Sequence, residues 1–209
     1  MNKFLSELIS TFLLVLVCSG IVILDSHLQG KIGLIGISLT SGLAVSLLIL
    51  FFEKFSGAHM NPAVTIGLAT GGKFLKKDVL PYLLAQLTGA FLASGLYKLI
   101  LPPLSPLGET LPSITAAPAF FFEMILTFFL LIVILITAKL KIKFDYLIIG
   151  GFVALGIYVG GPYCGGSMNP FRSVAPAVLS GNISMLWLYM SAPFIGAIIA
   201  TLSFKVFLK

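Results

Sequence analysis

The sequence predicts an all-α membrane protein with six transmembrane helices and two re-entrant half-helices that form an inverted repeat. Three observations support this fold class: an apolar composition, six membrane-length stretches and a duplicated motif. Of the 209 residues, 58% are hydrophobic and 10% are charged, and the mean hydropathy is +1.11. A soluble domain carries roughly a quarter charged residues, and a disordered chain is poor in apolar ones. The composition therefore excludes both classes and indicates a polytopic membrane protein.

Six apolar stretches are long enough to cross a bilayer, whose core of about 30 Å requires about 20 helical residues. Helices are expected because lipid cannot satisfy free backbone groups. The first stretch also resembles a signal peptide, but its length, its interruption at Glu7 and the lack of a cleavage site favour a retained span. The predicted spans are 4–24, 32–52, 79–100, 119–138, 146–161 and 185–207.

The basic residues predict the orientation. An even number of spans places both termini on one side, and with the termini inside only Lys31, Lys98 and Arg172 of the 13 basic residues lie outside. The positive-inside rule then predicts cytoplasmic termini in a multi-pass cell-membrane protein. Short termini favour a bacterial inner membrane. We interpret the net charge of +6 as this topology signal and expect no nucleic-acid partner.

Two segments outside the spans share an Asn-Pro motif: Asn61-Pro62-Ala63, and 108 residues later Asn169-Pro170-Phe171. Asn is a favoured N-cap and Pro a favoured first helical residue, so each motif begins a helix. The apolar stretches that follow, to residues 69 and 179, are long enough for half a bilayer at 1.5 Å per residue.

A second duplication supports two related halves, because the pattern from Glu7 to Leu14 returns from Glu123 to Leu130. Each half contains three spans, an odd number, so the halves are inverted relative to each other. We expect one channel domain over 1–209, with repeats of about 1–100 and 119–209 joined by an outer loop, 101–118. The half-helices then enter from opposite sides and their N-termini meet near the midplane.

Two facing helix N-termini place about half a positive charge each at the centre, which repels cations and protons. The carboxamides of Asn61 and Asn169 can donate hydrogen bonds to a passing oxygen. Irregular backbone at membrane depth is tolerated where it lines a cavity, so the residues before each Asn are expected to present carbonyls to a channel. These are Gly57, Ala58, His59, Gly165, Gly166 and Ser167. A single motif could instead start an ordinary packed helix, but two in matching halves favour the channel.

Residues 56–65 and 165–177 resemble the aquaporin, or major intrinsic protein, family, most of all the nodulin-like intrinsic proteins of plants and their bacterial relatives. The resemblance implies a homotetramer in which every protomer conducts, with no cofactor or metal. It also implies an outer selectivity filter formed by Ser41, Ile157, Gly166 and Arg172. Water-selective relatives usually carry an aromatic residue and a His at the first two positions, so a wider and less polar filter is predicted.

The resemblance also carries expectations for Glu7, Glu123 and Phe171. Glu7 and Glu123 are expected to be structural, each accepting backbone N–H bonds from a re-entrant loop. Phe171 replaces the usual Ala, and its ring either packs sideways, which we favour, or narrows the centre. Cys164 is expected near the outer vestibule, as a target for mercurials or as a core residue.

The predicted function is a passive channel for small uncharged solutes that excludes ions and protons: water, glycerol, urea and boric or arsenous acid. The alternatives are a water-selective aquaporin and, with less support, a proton-coupled secondary transporter, since the spans offer only Glu7 and Glu123 for coupling. No nucleophile triad, metal cluster or phosphate loop is evident, so an enzyme is not expected. The expected partners are the lipid bilayer, small neutral solutes and copies of the chain.

Overall fold

The computed structural model describes residues 1–207, which form eight helices. They are α1 (Lys3–His27), α2 (Gly33–Ser56), α3 (Pro62–Thr70), α4 (Lys76–Ile100), α5 (Ala116–Leu140), α6 (Asp145–Cys164), α7 (Pro170–Ser180) and α8 (Leu186–Phe207). Six of them are long and apolar enough to cross a membrane. The predicted fold class is confirmed, and the spans differ from the prediction only at their ends.

The two short helices begin at the duplicated motifs. Asn61 and Asn169 both have extended backbone, and their side-chain oxygens accept hydrogen bonds from the first turn of α3 and α7. Pro62 and Pro170 then occupy the first helical position. With 9 and 11 residues, α3 and α7 are about 14 and 17 Å long, about half the apolar thickness of a bilayer.

The helices pack in the same order in both halves. α1 contacts α2 and α4, and α5 contacts α6 and α8, while α2 and α6 join the halves. Close approach depends on glycine: a Cβ on Gly89 would lie 2.3 Å from the Leu8 carbonyl oxygen, and one on Gly196 would lie 2.2 Å from that of Met124. Small residues at helix contacts are typical of membrane bundles, where packing replaces the hydrophobic effect. α3 and α7 each contact both α4 and α8, which places them between the halves.

Candidate functional site: a channel through the bundle

A cavity of about 340 Å³ runs through the bundle, and one side of each of four long helices lines it. The lining residues of these helices recur mainly every fourth position, which is the spacing of one helical face. They include Leu14, Cys18 and Val22 of α1; Ile37, Ser41, Val45, Ile49 and Glu53 of α2; Leu130, Ile134 and Ala138 of α5; and Asp145, Ile149, Val153 and Ile157 of α6. From Ile37 to Glu53, α2 covers about 24 Å, so the cavity follows most of a bilayer core of about 30 Å.

The two re-entrant loops complete the wall. All residues of 57–61 and 165–169 line the cavity. Ala58, Met60 and Met168 have φ between +48° and +52°, a conformation that residues with a Cβ adopt only when their surroundings impose it. The loops are therefore held in shape by contacts with the rest of the chain.

Glu7 holds the first loop. The side chain is fully buried, and one oxygen accepts hydrogen bonds from the Ser56 hydroxyl at 2.7 Å and the His59 backbone N–H at 2.9 Å. Its other oxygen accepts from the Met60 backbone N–H at 2.8 Å and the Gln86 amide at 2.7 Å. Four donors satisfy a carboxylate that would otherwise be costly inside a membrane protein.

Glu123 holds the second loop in the same way. It is also fully buried, and its two oxygens accept from the backbone N–H groups of Ser167 at 2.7 Å and Met168 at 2.8 Å. Tyr189 and Gly196 follow Tyr82 and Gly89 by 107 residues, so the position corresponding to Gln86 is Pro193, and no side-chain amide is available there. The two halves thus use the same carboxylate with different supporting donors.

The half-helix N-termini are joined by their own capping residues. The Asn61 amide donates to the Met168 carbonyl at 2.8 Å, and the Asn169 amide donates to the Met60 carbonyl at 2.8 Å. Each carboxamide has a second N–H, and Asn61 and Asn169 both line the cavity. The centre of the channel therefore combines two positive helix ends with two hydrogen-bond donors.

The four predicted filter residues lie along one part of the cavity wall. Ser41, Ile157, Gly166 and Arg172 all line it, and a Cβ on Gly166 would lie 3.1 Å from the Ile157 Cα. The Arg172 guanidinium is held by the Gly108 carbonyl at 2.9 Å and the Cys18 carbonyl at 3.3 Å. With these two donors engaged, its charge lies at a fixed place in the wall.

Phe171 points away from the channel. Its ring is buried in a cluster with Val15 of α1, Ala90 and Ala93 of α4, and Ala175 of α7, and it is not among the residues that line the cavity. Its backbone N–H still donates to the Asn169 side chain, so the motif keeps its N-cap. This placement corresponds to sideways packing.

The histidine of the first loop has a structural environment. The His59 ring lies 3.0 Å from the Thr65 hydroxyl and packs edge-on against Phe74, with Tyr82 beside it. Its backbone N–H donates to Glu7. Both contacts fix the loop, while the residue also lines the cavity.

Several residues that line the cavity or hold its loops were not identified from the sequence. Cys18 lines the cavity, whereas Cys164 is fully buried and is not among the described lining residues. Cys18 lies four residues from both Leu14 and Val22, and this spacing could have identified it as a residue on the same helical face. The Tyr82 and Tyr189 hydroxyls donate to the last carbonyls of α2 and α6, and no local pattern indicates that role.

The end of the cavity opposite Arg172 is charged. Glu53, Asp145 and Lys73 all line it there, at the C-terminal end of α2, the start of α6 and the segment after α3. Between this mouth and the predicted filter residues, the lining side chains of the long helices are almost all aliphatic. The channel thus has an apolar wall that faces the loops and a polar mouth.

Comparisons with known proteins agree with this geometry. Residues 1–204 match the family model described as MIP: Major intrinsic protein. The chain is 35% identical over 201 residues to Aquaporin NIP1-1 from Zea mays, covering 94% of this chain and 71% of that protein. It is 35% identical over 202 residues to Nodulin-26 from Glycine max, covering 95% and 74%. Among solved structures, the aquaglyceroporin from Plasmodium falciparum matches with a TM-score of 0.86 at 30% identity, covering 99% of this chain and 96% of that one.

Proposed function

Because the chain belongs to the major intrinsic protein family, we propose that it is a passive channel for small uncharged solutes. These are water, glycerol, urea and uncharged hydroxides such as boric or arsenous acid. This is the family that residues 56–65 and 165–177 resemble. We expect no enzymatic activity.

The composition of the wall is the main support for solutes larger than water. The chain contains 18 Phe, 6 Tyr and one Trp, yet none of the described residues that line the cavity is one of these. The resemblance implies that Ser41 and Ile157 occupy filter positions at which water-selective relatives carry bulkier or more polar side chains, and both residues line the cavity. A solute with CH groups on one side and hydroxyl or amide groups on the other suits a wall that is aliphatic on the helices and polar on the loops.

Ion exclusion is attributed to three positive features along one path. The N-termini of α3 and α7 meet at the centre, and the Arg172 guanidinium lies in the filter. The carbonyls of residues 57–59 and 165–167 serve as acceptors for the passing solute. A neutral molecule is not repelled by this field, whereas a cation or proton is.

We base the proposed membrane orientation on the distribution of basic residues and the proposed assembly on the family. Both termini face the cytoplasm, the halves form an inverted repeat, and four copies assemble. A membrane-impermeant thiol reagent tests the orientation in a background in which Cys18 and Cys164 are replaced by Ser: a cysteine at Asn182 reacts in intact cells, whereas one at Asn2 reacts only after lysis. The reverse pattern would contradict it. Placement in a bacterial inner membrane stays a prediction.

Stopped-flow light scattering on proteoliposomes tests the function. We expect water, glycerol and urea to enter faster than in empty liposomes, linearly with the gradient and without effect of a proton ionophore. Ser41→Trp should abolish this flux by filling the cavity. Leu43→Trp is the matched control, because Leu43 is two residues away on α2 and 58% exposed. Fast water with neither solute would favour a water-selective channel, and ionophore-sensitive flux would favour a coupled transporter.

A further inference from the structure

The connection between α4 and α5 reaches the filter. Leu104, near its start, is fully exposed, but Leu107, Gly108 and Thr110 are buried. Gly108 packs so closely against α1 that a Cβ would lie 2.5 Å from the Ser19 carbonyl oxygen, and its φ of +72° also favours glycine. This part of the loop, residues 107–110, thus packs against α1 and contacts the Arg172 side chain, rather than forming a surface connection.

Three buried hydroxyls link this loop to the second re-entrant loop. The Thr110 and Ser173 hydroxyl oxygens are 2.5 Å apart, and the Ser173 and Ser167 oxygens are 2.6 Å apart. The Ser167 hydroxyl in turn donates to the Asn169 carbonyl at 2.9 Å. Each hydroxyl has one proton, so the directions are fixed: Thr110 donates to Ser173, which donates to Ser167.

The hydrogen bond between Thr110 and Ser173 closes a ring of contacts that includes the filter arginine. Arg172 donates to the Gly108 carbonyl, Thr110 follows Gly108 by two residues, and Ser173 is the residue after Arg172. The guanidinium and the backbone of Arg172 are therefore attached to two segments that are themselves tied together. Among the described residues, the only other hydrogen bond between loop 107–110 and α7 is that of the Arg172 guanidinium itself.

We propose that Thr110 and Ser173 are positioning residues for the selectivity filter. Through their hydroxyl bond they fix the distance between the outer loop and the second re-entrant loop, and hence where the guanidinium lies relative to Ser41 and Ile157. Solute selectivity is thus partly set by a loop that lies outside the six spans. The inference rests on the proposed channel function, because it concerns the filter of that channel.

Two variants test this role in the full-length protein in proteoliposomes. Thr110→Val keeps the side-chain shape and removes the hydroxyl donor. Ser173→Ala removes the middle one of the three linked hydroxyls. The first readout is the ratio of urea to water permeability, in which the amount of folded protein cancels. The second is amide hydrogen exchange of residues 166–173, which requires no transport. Losing one buried hydrogen bond should shift each readout about two- to tenfold.

Ser113→Ala is the matched control. Ser113 lies in the same loop and its hydroxyl donates to the Pro162 carbonyl at the end of α6, away from Arg172. We expect this variant to resemble the wild type, and Thr110→Ser to restore both readouts. Unchanged ratio and exchange in Thr110→Val, or equal shifts in Ser113→Ala, would overturn the proposal. If wild-type protein passes no urea, the proposed solute range fails, and hydrogen exchange still decides the positioning role.

Discussion

Asn169→Asp replaces a hydrogen-bond donor at the centre of the channel with a negative charge. The aspartate can still cap α7, because its oxygen accepts the Phe171 and Arg172 backbone N–H groups as the asparagine does. It loses the 2.8 Å donation to the Met60 carbonyl. The two helix N-termini keep the new carboxylate ionised, since they stabilise an anion.

The size of the effect follows from the charges. Each half-helix end contributes about half a positive charge, so one carboxylate cancels the pair. A unit charge about 4 Å from a permeant cation corresponds to about 4 kcal/mol at an effective dielectric constant of about 20. Since about 1.4 kcal/mol is a factor of ten, cation exclusion should weaken by up to about a thousandfold.

The assay is proton and sodium entry into proteoliposomes, measured with enclosed dyes while water flux is recorded in parallel. Asn182→Asp is the control, because it makes the same change in the exposed segment after α7. We expect a leak in Asn169→Asp and none in Asn182→Asp. If Asn169→Asp conducts water normally and leaks no more than the wild type, the central field is not the barrier.

Three further outcomes are expected. Ser41→Phe combined with Ile157→His should lower glycerol and urea flux more than water flux, because both residues line the cavity. The control, Leu43→Phe with Leu155→His, changes exposed faces of the same helices and should not. Equal losses of water and solute flux would mean that these residues do not form the filter. Phe171→Ala should cost about 3–5 kcal/mol of stability in thermal unfolding and leave the urea-to-water ratio unchanged, because the ring packs in the core; a changed ratio contradicts this. A small thiol reagent should block flux through Cys18, so Cys18→Ser should protect and Cys164→Ser should not.

Most of the fold could be predicted because the membrane constrains it strongly. Apolar length defines the spans, and the Asn-Pro pairs mark the starts of α3 and α7, whose observed N-caps agree with the prediction. The ends of the long helices were less certain. α6, for example, continues three residues beyond the predicted end, with Pro162 inside its last turn.

Residues of the candidate site could be proposed where local sequence carries the signal. Residues within a motif, such as Asn61 and Arg172, line the cavity, and so does Ser41, which was placed by counting along a helix. The contacts of Gln86 and Thr110 could not be predicted, because they depend on distant partners: Glu7 is 79 residues from Gln86, and Ser173 is 63 residues from Thr110. Such pairs become visible only when the helices are assembled.

The crossed amide bonds between the motifs have a consequence for biosynthesis. Glu7 finds all its partners within the first half, but the carbonyl that Asn61 requires comes 107 residues later. At about 5–20 residues per second, the first motif waits on the order of 5–20 s for that partner to be made. The carboxylate can thus order its loop early, while the crossed amide bonds at the centre form only after the second half has been made. A chain truncated between the halves has no centre through which to conduct.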